Sequence, residues 1–398
     1  MRELRNLLER YMFIWFPTWI CLERFVPIAG TLLTLCMIVV LASEQFLKRK
    51  TFAKYIAIII LFVISSYMYT SVESHNAHIK VMIVAFLALD ARYNILYDKA
   101  IFNIEKNKQI IYFQLIAILL LNIVFMFLSA GYSTQYEAQW SVIAYQGVFS
   151  DPHQCAYHIC ALLVYLLWVA RDGIKLGHIL CMLGYEVCVL STGARMPTIL
   201  ALFIGGIFAL QYLKNKFKND LINIILKGVI VAAGVLIVLF LVMKYTTFGD
   251  KMLNAIINNN FDSGRSNMRA ADIQYFMESD WYHRLFGHGT DAVIDFHGNR
   301  PYGAYIWSHN DFTQILCGMG LIMFLLYCIT WIDIIRETLK TSIGSALMVI
   351  LVVVVAFGNG FYIHSRFVFV FPLLLLYMEQ NARESRLQNT VCSEVNHT

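Results

Sequence analysis

Apolar runs of about 20 residues recur along this chain, separated by short polar connectors. Nothing constrains its fold more. A run of that length matches the thickness of a bilayer's hydrocarbon core. Backbone inside lipid must satisfy its own hydrogen bonds, so such runs cross as helices. They are too long and too little alternating for barrel strands. Hydrophobic residues make up 59% of the chain and charged residues 14%, whereas a soluble domain carries about a quarter charged. The sequence predicts an all-α polytopic membrane protein.

The runs give about twelve transmembrane helices, at 11–22, 25–43, 53–71, 79–97, 110–131, 154–170, 177–193, 196–213, 221–244, 312–332, 342–361 and 364–379. The organisation read from them is nine helices over 1–244, a large polar loop at 245–311, three helices over 312–379 and a loose polar tail at 380–398. The first run is short and also fits a re-entrant segment. Asp90 and Arg92 leave the end of the fourth open.

Lysine and arginine sort to alternate connections, as the positive-inside rule describes. Arg2, Arg5 and Arg10 share one side with Lys48–Lys50, Lys106 and Lys108, Arg171, Lys214–Lys218, Arg336 and Arg383. Residues 132–153 carry neither type. Both termini are therefore expected in the cytoplasm, with 245–311 on the opposite face. The net charge of +5 follows from the cytoplasmic flanks and points to membrane lipids rather than nucleic acid. The N-terminus shows no small-residue cleavage site. The nine cysteines form no CxxC pair and read as packing residues.

Within this apolar chain, 245–310 is a polar island, with Arg265, Arg269, His283, Arg284 and His288, closing on Trp307-Ser308-His309-Asn310. Charges at a membrane rim are costly and mark functional candidates. Arg195 follows Ser191-Thr192-Gly193-Ala194, and Pro197 suits the first turn of the next helix. A guanidinium beside a helix N-terminus suits a phosphate; it also suits snorkelling to headgroups. Arg265 follows Ser263-Gly264, as a functional residue or as a cap, and precedes an amphipathic stretch with Met268, Ala271, Tyr275 and Phe276 on one face. His288 lies between Gly287 and Gly289, which permit close approach to a ligand or simply a turn. His309 stands where an apolar run begins, either as a general base or as a hydrogen-bonded interfacial histidine. Asp151, His153, Asn310 and Arg366 fall on the same outer side by this topology. That convergence carries more than any one residue.

Some chemistry is excluded by pattern. There is no GxxxxGK[ST] loop and no HExxH, and no DxD pair to hold a nucleotide-sugar metal. Arginines on an outer face fit an anionic leaving group recognised without a metal, and no cofactor is expected.

Gly147-Val148-Phe149-Ser150-Asp151-Pro152-His153, the Ser191–Arg195 turn, Ser263-Gly264-Arg265 with Phe286-Gly287-His288-Gly289, and His309-Asn310 running into Gly318-Met319-Gly320 fall in that order. This ordered set resembles the O-antigen ligase/polymerase superfamily. His153 and Ala194 depart from the residues more usual at their positions.

The resemblance implies a GT-C-like helical glycosyltransferase of the bacterial inner membrane. Its substrate would be an oligosaccharide on undecaprenyl pyrophosphate, presented in the periplasm, and the family implies a chain-length regulator as a further partner. A polymerase extends the glycan on the next lipid-linked repeat unit, and this is the expected role. A ligase moves it to lipid A-core. On this reading Arg195 and Arg265 hold the pyrophosphate and His309 orients or deprotonates the acceptor hydroxyl, with inversion at C1. Asp151, His288 and Asn310 position sugars, Trp307 and Tyr302 stack on pyranose faces, and His153 and Arg366 complete the substrate-binding set. A transporter is the alternative from another class, but it would place paired charges nearer the midplane. A non-catalytic assembly partner is the third reading.

Overall fold

The computed structural model describes residues 2–45, 58–61, 63–64, 79–91, 95–137, 140–216, 244, 247–257, 265–299 and 307–395. In chain order the first elements are α1 (Arg2–Leu22), α2 (Pro27–Gln45), α3 (Ile79–Ala91), α4 (Ile95–Lys106), α5 (Lys108–Met126), β1 (Tyr132–Glu137) and β2 (Trp140–Tyr145). Then come α6 (Pro152–Val169), α7 (Leu176–Thr192), α8 (Arg195–Lys216), α9 (Thr247–Ile257), α10 (Arg265–Glu278), α11 (Trp281–Phe286) and α12 (Ala292–Gly298). The last are α13 (Asp311–Thr341), α14 (Ile343–Gly358) and α15 (Ser365–Val395).

Among the described residues, four helices are long and apolar enough to cross a membrane: α5, α6, Arg195–Lys214 of α8, and α13. Shorter apolar helices occupy Ile28–Ala42, Lys80–Leu89, Leu176–Thr192 and Ile343–Gly358. Residues 221–243 of the expected span at 221–244 and most of 53–71 lie outside the described residues, as do Ser263, Gly264 and Tyr302.

The chain divides into two compact units. One comprises Arg2–Leu33 and Lys99–Gly264; the other comprises Thr34–Asp98 and Arg265–Thr398. In the first, α6 is buried at every residue from Cys155 to Val169. A helix that is apolar all round belongs inside a bundle, and α5, α7 and α8 pack around it. It starts where Asp151 caps it and Pro152 takes the first turn. At the other end of these helices, ion pairs join Lys99 to Glu9 (2.9 Å), Arg171 to Glu105 (3.1 Å) and Lys108 to Asp172.

This unit also corrects the all-α expectation. β1 and β2 form an antiparallel hairpin with Tyr132 opposite Tyr145 and Glu137 opposite Trp140. Aromatic and β-branched residues suit paired strands, and the expectation over 132–146 rests on missing positive charge alone. Arg24 fastens the base of the hairpin, donating Nη2 to Ala130 O (2.7 Å) and Nη1 to Phe149 O (2.9 Å).

In the second unit, α13 and α14 run antiparallel, joined where the Ser342 side chain caps α14. α15 packs on α3, and α10 to α12 pack on α13. In the turn between α14 and α15, Phe361 sits among Trp331 (5.7 Å between ring centroids), Phe367 (5.9 Å) and Phe371 (5.6 Å).

Two further expectations change here. The span read at 312–332 is not continuous, because Gly320 has φ 77°, ψ 176° and breaks α13. Asp311–Met319 is a short helix, and Leu321–Thr341 is the longer piece, apolar as far as Ile332. Within the run at 79–97, Ile79–Ala91 and the residues from Ile95 onward are helical, and 92–94 lie outside the described residues. The tail from Gln380 continues α15 to Val395.

Candidate active site

The site begins with how Trp307–Asp311 is held. Asn310 caps α13, its Oδ1 accepting from the backbone N–H of Phe312 (2.8 Å) and Thr313 (3.2 Å). An Asn at this position satisfies donors that a helix start otherwise leaves unpaired. Its Nδ2 is buried without a partner among the described residues, an uncommon condition for an amide. The Ser308 backbone N–H donates to Gln314 Oε1 (3.0 Å), and Gln314 Nε2 donates to Thr290 O (2.9 Å). Between Ser308 and Asn310, His309 sits in the left-handed region at φ 52°. For a non-glycine residue that costs energy and persists only where the surroundings impose it.

Asp311 is fully buried and accepts three hydrogen bonds. Oδ1 takes the Phe361 N–H (2.9 Å); Oδ2 takes the Tyr362 N–H (3.1 Å) and the Tyr327 hydroxyl (2.7 Å). The turn between α14 and α15 is thereby locked to the start of α13. Its other end is held by Arg265, whose Nη1 donates to Gly358 O (3.0 Å) at the C-terminus of α14. Cations are favoured at such an end. One helical turn on, Arg269 lies over Phe357, 5.4 Å from the ring centroid.

Trp307 packs against this same turn. Gly360 has φ 76°, and a Cβ there would lie 2.2 Å from the indole, so only glycine fits. His309 lies 4.7 Å from Trp307 between ring centroids, tilted 45°. His364 stands edge-on to Trp307 at 6.4 Å and 80°. Ser308, Asn310, Asp311, Asn359–Tyr362 and Ser365–Arg366 are all buried, while Trp307, His309, Ile363 and His364 are partly exposed. Three of the four side chains left to solvent by these two segments are therefore rings in one cluster.

His288 belongs to a different arrangement. Its Nε2 is 2.7 Å from Ser279 Oγ. Its ring lies flat on His283 (4.1 Å, 5°) and against Tyr275 (4.7 Å). Tyr282 and Phe296 extend the column at 4.3 and 4.4 Å. Burial, with neighbouring His283, holds the His288 pKa down to about 4. Beneath it, His297 Nε2 contacts the buried carboxylate of Asp272 at 2.7 Å. Gly287 and Gly289 do allow a close backbone approach, but to α13: His288 N donates to Cys317 O (3.1 Å) and Gly289 N to Gly318 O (2.8 Å). The expected inward face of α10 is present, with Ala271 buried and Met268, Tyr275 and Phe276 half-buried.

In the other unit, the Asp151 Oδ1 accepts from His153 N (2.7 Å) and Gln154 N (3.1 Å), which makes it the cap of α6. His153 is half-buried in the first turn of that helix. Arg195, also half-buried, is the first residue of α8. The preceding turn is set by Gly193 (φ 65°) and by Thr192 Oγ1 accepting from Ala194 N (3.1 Å).

Of the expected site residues, the structure brings together Trp307, His309 and Asn310 and ties Arg265 to the same turn. Arg366 is buried and its Nη1 donates to Thr34 Oγ1 (2.8 Å) and Ser365 Oγ (3.0 Å). His364 and Asp311 were not singled out from the sequence. Their signal was only adjacency: one precedes Arg366 by two residues and the other follows Asn310.

Residues 178–328 match the family model described as O-Antigen ligase. That segment, less than half the chain, holds Arg195, Arg265, His288, Trp307, His309 and Asn310. No curated protein matches the chain.

Proposed function

From the match of residues 178–328 to the O-antigen ligase model we propose that the chain is a member of the O-antigen ligase/polymerase superfamily and that it polymerises lipid-linked oligosaccharide repeat units. The donor is a glycan on undecaprenyl pyrophosphate at the periplasmic face of the inner membrane. The proposal includes a GT-C-like architecture of about twelve spans with both termini cytoplasmic, and a chain-length regulator as a partner.

One observation carries this reading: the turn at Gly358–His364 joins Arg265 at one end to Trp307 and His309 at the other. An anion-binding side chain and a polar aromatic surface share one scaffold. Glycosyl transfer from a pyrophosphate needs both. The acceptor oxygen forms a bond to C1 of the donor sugar, and the C1–O bond to the pyrophosphate breaks, its electron pair leaving with the phosphate. Arg265 stabilises the charge that grows there; guanidinium N–H groups suit phosphate oxygens in pairs. His309 orients the acceptor hydroxyl and takes its proton, with inversion at C1 and no metal. Asn310 fixes His309 through the helix cap, and Trp307 offers its ring to a pyranose. Arg195, at the start of its own helix, is a second phosphate candidate, and Asp151, His153, His288 and Arg366 are kept as sugar-contact candidates.

The matched model's description favours a second reading, transfer of finished polymer onto lipid A-core. The surface glycan of the host separates the two. Deletion that leaves core carrying one repeat, with a ladder restored by wild type but not by His309→Ala, supports the polymerase. Bare core with accumulated lipid-linked polymer makes the chain a ligase. A full ladder in the deletion strain removes both roles for that glycan.

A further inference from the structure

We propose that the outer face of α10 and α11, carried by Ala270, Ile273, Met277 and Trp281, rests on the phospholipid bilayer at the boundary between headgroups and acyl chains. The contact does not depend on which glycan the chain transfers, or on whether it transfers one.

α10 itself defines the face. Ala271 and Asp272 are buried and Tyr275 and Phe276 half-buried, which fixes the inward side. On the outward side, Ala270, Ile273 and Met277 fall within about 60° of one another around the helix. Asn267, Gln274 and Glu278, also exposed, fill the sector beside them. The exposed surface is therefore divided into an apolar strip and a polar one. Ile273 is 49% exposed, Met277 58%, and Trp281, the first residue of α11, 72%. A helix divided in this way suits a bilayer interface, and tryptophan is enriched at that depth.

Two contacts give the level. α14 is apolar and leaves Ile343, Leu347, Ile350, Val354 and Phe357 exposed along one stripe, its lipid side. Arg269 lies over Phe357, the last of them, 5.4 Å from the ring centroid. Around α10, Arg269 is the neighbour of Ile273, about 40° away, so the apolar strip adjoins the end of that lipid side. α13 leaves Leu321, Leu325 and Ile329 exposed. Leu285 of α11 meets Gly320, immediately before the first of these. α10 and α11 thus stand where the outward apolar faces of two helices end, and their own strip carries that surface on. On the function proposed above, this seats Arg265, the first residue of α10, among lipid-borne phosphates. That consequence rests on the functional reading; the lipid contact does not.

The test uses the full chain in nanodiscs holding single copies, made with plain phospholipid or with phospholipid brominated high or low on the acyl chain. Bromine quenches tryptophan emission on contact. The Trp281 signal is the difference between wild type and Trp281→Phe. We expect it to lose about half its intensity or more in the high-brominated lipid and less in the low. On a Met277→Asp background, which alters the exposed strip and leaves the inward face intact, most of that intensity should return. A Trp281 signal that bromine leaves unchanged overturns the proposal. If the unquenched emission shifts as protein density rises in vesicles, the strip belongs to a second copy; if it shifts with soluble oligosaccharide, it belongs to the glycan. Either result removes the lipid contact. Transfer is measured separately in the same nanodiscs, so a failed functional reading leaves the bromine result to decide.

Discussion

The guanidinium of Arg265 reaches the carbonyl oxygen of Gly358, its Nη1 3.0 Å away. A residue expected to face substrate therefore also bridges the start of α10 to the end of α14. Lysine retains the charge but loses the planar fork. Arg265→Lys should keep expression and lose on the order of tenfold to a hundredfold in transfer. Rates of radiolabelled repeat-unit incorporation in membranes would check it. Near-normal polymer would take Arg265 out of any paired contact with phosphate.

Asp311 makes a prediction about stability. In Asp311→Asn, an amide NH₂ replaces one oxygen that now accepts N–H or O–H donors. A donor then faces a donor in a fully buried place, at a cost of about 1–3 kcal/mol. Tyr327→Phe removes one of the three bonds and should cost about 1 kcal/mol. Thermal unfolding in detergent, followed by size-exclusion fluorescence, would order the variants as wild type, Tyr327→Phe, then Asp311→Asn. A melting temperature for Asp311→Asn equal to wild type would mean that the turn is held by other contacts.

Asp151 separates a capping role from a substrate role. Ser at a helix N-cap serves nearly as well as Asp, whereas Ala costs about 1 kcal/mol. If the cap is its whole contribution, Asp151→Ser restores both melting temperature and transfer, and Asp151→Ala loses stability alone. Transfer abolished in Asp151→Ser at normal melting temperature would give the carboxylate a direct part in the reaction.

The ring column in the loop predicts a response to acid. The His288 pKa in the fold is about 4, against 6.5 for an ordinary histidine. Where the unfolded chain binds the proton and the fold does not, stability falls as pH falls. The contribution of His288 is thus complete above about 6.5 and is lost progressively as pH drops toward about 4. Hydrogen-exchange protection of 275–289 should decline over that window. In His288→Gln the decline should flatten; a decline of equal size in that variant would assign it to other groups.

Much of this fold was legible because hydrophobic run length is a strong signal. The membrane helices α5, α6 and α8 lie close to where runs of apolar residues put them. What the runs could not reveal was the break at Gly320, since one glycine in an apolar segment is tolerated by a helix as well as by a corner. The hairpin was missed for a related reason: Tyr132–Tyr145 is defined by strand pairing, and its lack of charge says nothing about shape. At the site, His309, Asn310 and Trp307 were visible as polar residues at a membrane boundary. His364 and Asp311 were not, because what distinguishes them is a partner far away in sequence: Trp307 for one, Phe361 and Tyr362 for the other. Composition and spacing carry no record of such contacts.

The corner at Gly320 has a consequence for height. A Cβ on Gly320 would lie 2.3 Å from the carbonyl oxygen of Leu285, and one on Gly287 would lie 2.2 Å from that of Gly318. With backbone against backbone on both sides, the corner is filled and has no room to flex. After the corner the uncharged stretch Leu321–Ile332 rises about 18 Å at 1.5 Å per residue, well short of the thickness of a bilayer's hydrocarbon core, so Asp311–Met319 on the other side of the corner is needed to complete the apolar run. Loop and helix therefore move as one body, and on the proposed topology the seat of that helix in the bilayer sets the height of Trp307 and His309. If the proposed substrate is the lipid-linked pyrophosphate, a thicker or thinner membrane would lift or sink these residues relative to the headgroups at which its phosphates lie.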